Sequence, residues 1–91
     1  MNTEIKKEDN LQIAAPLTFG QKAVGLTFNP RKDNDVDMCK KRFADAIDQL
    51  HTVRRDAPDP QAGRLAAIAI TEIETACMWA VKTLTWRYNQ A

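Results

Sequence analysis

Histidine is almost missing from this sequence, and cysteine nearly so: His51 stands alone, and Cys39 and Cys77 are the only thiols. No Cys/His spacing of metal-binding type can be built from them. Two distant cysteines are also too few for a disulfide framework, and each falls at an apolar position of a helical pattern. They are expected as buried, reduced thiols that behave as small hydrophobes. Long apolar runs are lacking too, since none approaches the roughly 18–20 residues that cross a bilayer. The start, MNTEIKKEDN, is polar and has no continuous apolar core of a secretion signal, so a cytoplasmic protein is expected. Charge of one sign is not in excess: 13 basic residues face 12 acidic ones, for a net charge of +1. That balance gives no broad electrostatic footprint for duplex nucleic acid or an anionic membrane.

Catalytic groupings are equally scarce. Glu72 and Glu74 lie two apart, so on a helix they point away from each other and cannot act as a carboxylate pair. GQKAVG is flanked by glycines but lacks the lysine-serine end of a phosphate loop. His51, on an amphipathic helix, reads as a solvated or capping side chain. The expectation is a protein without enzymatic chemistry, cofactor or metal.

What is present is a single small domain with 44% hydrophobic residues, ordinary for a globular chain. Residues 1–10 are charged and expected to fray. Residues 11–30, LQIAAPLTFGQKAVGLTFNP, have neither a long alternation nor a helical period. They read as an ordered arm of short extended pieces and turns, with room for one helical turn.

A helix then starts at RKDNDVD, where Asn34 or Asp33 can cap it and Asp35 and Asp37 complement the positive end of its dipole. Val36, Cys39, Phe43, Ala46, Leu50 and Val53, with Ile47 beside them, step by 3 and 4 in a seam of heptad type. DAPDP stops it. Asp59 caps a second helix with Pro60 in its first turn, running to about Tyr88. One of its seams reads Leu65, Ile68, Glu72 or Ile73, Ala76, Ala80, Thr83. The other reads Ala66, Ile70, Ile73, Cys77, Val81, Leu84, Tyr88. The fold class is therefore all-α: an antiparallel helical hairpin over 31–88 with a short irregular N-terminal arm.

One hairpin covers one seam, and the stretch TACMWAVKTLTW is apolar nearly all round its axis. The second seam and the tryptophans should therefore meet the arm or another copy of the chain. An obligate homo-oligomer is expected, with Ala66, Ala67, Ala69, Ala76 and Ala80 allowing close helix approach.

For binding, Arg64 lies in the first turns of the second helix, where backbone N–H groups favour anions. Lys22, Arg31 and Lys32 flank the arm, while Thr27, Phe28 and Asn29 offer a hydroxyl, an aromatic face and an amide. A phosphate clamp with a stacking ring and an amide is how a small nucleotide is held. The plainer alternative pairs Arg64 with Asp59 or a neighbouring chain and puts Phe28 in the core.

AVGLTFNP before the first helix, RFADAIDQL within it and RLAAIAITEIETACMWAVKTLTW as the second resemble the helical-hairpin domain of phage immune-evasion sponges. One kind blocks CBASS defence and the other Thoeris defence, and the likeness covers roughly residues 20–88. The resemblance implies small helical proteins, commonly hexamers. These trap cyclic nucleotide messengers at subunit interfaces, without chemistry, in the bacterial host during infection. The ligands it implies are cyclic di- or trinucleotides or cyclic ADP-ribose isomers. Arg64 matches an arginine that contacts ligand in the anti-CBASS kind. Lys22, Thr27, Phe28 and Asn29 remain candidates from chemistry and position. Two other readings stay open: a structural or protein-binding phage module, and a nucleic-acid-binding regulator.

Overall fold

The computed structural model describes residues 16–89; the expected frayed segment 1–10 and the first part of the arm lie outside the described residues. Among the described residues three helices follow one another: α1 (Phe19–Ala23), α2 (Asn34–Asp56) and α3 (Pro60–Thr85), with a 3-10 turn at Trp86–Asn89. No strand occurs among the described residues, although AVGLTF is rich in strand-forming types.

The one helical turn allowed for in the arm is α1. Thr18 caps α1 in a reciprocal box: its hydroxyl accepts from the Gln21 N–H at 3.1 Å, and the Gln21 side chain accepts from the Thr18 N–H at 2.9 Å. Gly25, with φ of 64°, closes the other end, where Gly25 N–H donates to Lys22 O and Leu26 N–H to Gln21 O. This is the left-handed helix stop that only glycine adopts without strain. Gly20 seats α1 on α2. A Cβ there would fall 2.2 Å from the Ala44 carbonyl oxygen, and the Gly20 N–H donates to Asp48 Oδ1 at 2.6 Å.

The hairpin forms where the caps and prolines place it. Asp33 accepts from the Asp35 N–H and Asp59 from the Gln61 N–H, each at 2.9 Å, and Pro60 occupies the first turn of α3. The last residues depart from the expected α-helix to Tyr88, because Trp86 N–H donates to Thr83 O and the chain tightens. His51, rather than being solvated or capping, lies half-buried and stacked on Phe19 with centroids 4.1 Å apart.

The seams are assigned differently from the sequence reading. α2 packs against both α1 and α3. It therefore buries Val36, Lys40, Ala44 and Ile47, the stripe between its two neighbours. Cys39, Phe43 and Ala46 of the expected seam are half-buried and line an open groove of about 820 Å³ with Ile73, Ala80 and Leu84. On α3 the second seam, through Ala66, Ile70 and Cys77, is the one the chain buries. The first is left outward, with Leu65 and Ile68 exposed. Both cysteines are free thiols, Cys77 buried and Cys39 half-buried. Burial pushes the Cys77 thiol up from its ordinary range. No helix among the described residues is long and apolar enough to cross a membrane.

Candidate ligand-binding site

The candidate residues divide between the two ends of the hairpin. Thr27, Phe28 and Asn29 sit in the loop entering α2. Arg64 sits in the first turns of α3, beside the proline turn. Phe28 is tied to Lys40, and Gly63, next to Arg64, lies against Arg54, fourteen residues further along α2, so the two sets are about 20 Å or more apart within a chain at 1.5 Å rise per residue. Lys22, exposed in the last turn of α1, lies between them.

Around Thr27 the surface is concave and polar, about 630 Å³, and is lined by Gln21, Asn29, Lys32, Asn34, Asp37 and Lys41 as well. The Thr27 side chain is exposed. Phe28 is 73% exposed, which removes it from the core where the plainer reading had placed it. Asn29 is occupied structurally. Its amide donates to the Asp33 carbonyl and to Asp37 Oδ1, each at 2.8 Å, and its oxygen accepts from the Asp33 N–H at 3.1 Å. Both amide donors are consumed, leaving one acceptor lone pair toward solvent.

Sequence reasoning overlooked Lys40, which carries the positioning of this loop. At 5% exposure, its ammonium donates to the carbonyls of Gly25 at 2.8 Å and Phe28 at 2.5 Å, and lies 5.6 Å from the Phe28 ring centroid. A lysine in a polar run (CKKRF) reads as solvated. The only sequence signal for its burial was its place between Val36 and Ala44 on one helical face.

A second missed cluster fastens the C-terminal turn. Asp33 Oδ2 accepts from Arg87 at 2.7 Å and from the Tyr88 hydroxyl at 2.5 Å, and Arg31 lies 4.2 Å from the Tyr88 ring centroid. The Tyr88 hydroxyl and then the Arg87 guanidinium hold the Asp33 carboxyl down at about 2.

At the opposite end Arg64 is exposed and, among the described residues, makes no ion pair, with Asp59 or otherwise. Of the plainer alternative, the pairing with Asp59 is therefore not made, while a partner on a neighbouring chain lies beyond a single chain.

The family profile described as Acb2/Tad1, hairpin domain, matches residues 21–85, from α1 through the end of α3. The chain belongs to this family. Its members are phage anti-defence sponges of the anti-CBASS and anti-Thoeris kinds, proteins that sequester rather than transform their targets. The match takes in the Thr27–Asn29 loop and Arg64 alike, and stops before Arg87 and Tyr88. No curated protein and no solved structure matches the chain significantly.

Proposed function

We propose that this hairpin protein binds cyclic oligonucleotide second messengers of bacterial defence at interfaces between copies of itself and withholds them uncleaved. The observation that carries the reading is membership of the sponge family over both ends of the hairpin. The geometry supports it in a specific way. Arg64 and the Thr27–Phe28 pair are too far apart within a chain to touch one small ligand. A shared site needs Arg64 from one chain and the loop from another. A homo-oligomer, hexameric as the resemblance implies, would supply that pairing and cover the exposed Met78, Trp79 and Trp86. In it Arg64 clamps a phosphate bidentately, Phe28 stacks on a base, and Thr27 and Lys22 add a hydroxyl and a charge. Asn29 serves by shaping the loop.

The test is a panel of cyclic di- and trinucleotides and cyclic ADP-ribose isomers, filtered with the protein and assayed for ligand lost from the filtrate. At least one should be retained and released intact on heat denaturation. Arg64→Ala should weaken its binding by about 1.5–3 kcal/mol, the scale of a charge-assisted hydrogen bond. Arg64→Lys should recover part, since lysine lacks the fork. A panel with no retained member would leave the chain an assembly module without a nucleotide ligand. A linear or hydrolysed product would make it an enzyme.

A further inference from the structure

A cavity of about 370 Å³ lies within one chain, between the loop entering α2 and the end of α3. Its size falls in the range of small-molecule sites. We propose that it binds a planar heteroaromatic anion of mononucleotide size within one chain and without Arg64, sharing only Phe28 with the interface site.

The argument begins with charge. Lys40, Lys82 and Arg31 line this cavity, and Asp33 is the one acid among its lining residues. Asp33 is already engaged by Arg87 and Tyr88. Lys40 is buried, and among the described residues no carboxylate comes within ion-pair distance of it. Two carbonyls take two of its three N–H donors. A buried ammonium without counter-charge is costly, and an anion entering the cavity would relieve that cost.

The walls supply the second half. Phe28 stands in water while its carbonyl is held by Lys40, so its backbone is anchored at the cavity and its exposed ring is open to stacking. Tyr88, tethered through its hydroxyl to Asp33, holds Arg31 at the rim by its ring face. An exposed aromatic ring in a cavity lined by cationic groups suits a flat ring that carries negative charge. Tyr88 lies beyond residue 85, where the family match ends, so part of this cavity belongs to the chain and not to the matched domain.

The experiment titrates the full chain with adenosine 5′-monophosphate, followed by NMR, beside adenosine alone and inorganic phosphate alone. Saturable binding of one nucleotide per chain is expected, with each partial probe at least tenfold weaker. Phe28→Leu should weaken the nucleotide roughly tenfold, the loss of one stacked base, and Lys82→Gln about threefold, an exposed charge. Both residues are exposed, so neither change should disturb folding, whereas Lys40→Met would loosen the loop. Arg64, about 25 Å away along α3, separates the two sites: Arg64→Ala should weaken the interface ligand and not the mononucleotide. Absence of saturable binding at millimolar nucleotide overturns the proposal. So does phosphate alone binding as tightly, or binding that Arg64→Ala removes while Lys82→Gln leaves it untouched.

Discussion

The two long helices invert the usual relation between composition and burial. α2 is charged along its length, yet it is the middle of the molecule and buries a stripe on which even a lysine is hidden. α3 is far more apolar, yet it lies at the edge, with Met78 at 70% and Trp79 at 64% exposure. The chain's own core needs little from α3: Ala66, Ile70 and Cys77 suffice. The rest of its apolar surface, with Leu65, Ile68, Met78, Trp79 and Trp86, stays exposed in one chain, and it is the surface on which the proposed self-association would act.

The contrast can be broken first at its centre. Ile47 is the one large side chain among the described residues buried to less than 2%, so Ile47→Ala should cost about 2–5 kcal/mol in denaturant unfolding, the scale of a core truncation. A loss under 1 kcal/mol would mean that α2 is not the centre of the fold. The opposite result is expected on α3. Trp79→Ser should leave helical content intact and lower the sedimenting mass toward the 10.3 kDa of one chain. A wild-type protein that already sediments as a monomer would show that the exposed face of α3 has no self-partner.

The smallest effect concerns the end where both helices meet the C-terminal turn. Asp33, held at about 2 against an ordinary 3.8, is depressed in the folded chain, so its contribution is present above the unfolded value. It should be lost as pH falls through about 4 to 2, by linkage. Asp33→Asn should flatten that part of the acid unfolding curve and free the Tyr88 ring, readable in its fluorescence. An unchanged acid limb would remove Asp33 as the anchor of the turn.

The elements set by local chemistry were legible before any coordinates. Asp33, Asp59 and Pro60 read as helix starts, and DAPDP as the turn, because capping and proline geometry act over a few residues. The seams were not. Heptad spacing shows which residues share a stripe, but α2 has neighbours on two sides, and only their positions decide which stripe is covered. Lys40 escaped for the same reason, since burial of its charge depends on carbonyls twelve and fifteen residues away. α1 was allowed for as one helical turn but not placed, because five residues carry no period, though Thr18 with Gln21, and Gly25 after it, spelled its two ends. At the candidate site, position along the chain was readable and side-chain engagement was not: Asn29 looked available and is spent on capping α2.

The distance between Arg64 and the Thr27–Phe28 loop has a thermodynamic corollary. A ligand that touches both also joins two chains, so uptake and assembly are reciprocal: whatever promotes one must promote the other by the same factor. Retention then depends on the amount of protein as well as on the amount of messenger, steeply where copies are few. Were the proposed pairing head-to-tail, topology would set the number of sites, because a closed ring has one junction for every chain and an open row always has one fewer. Closing such a ring would complete the last site.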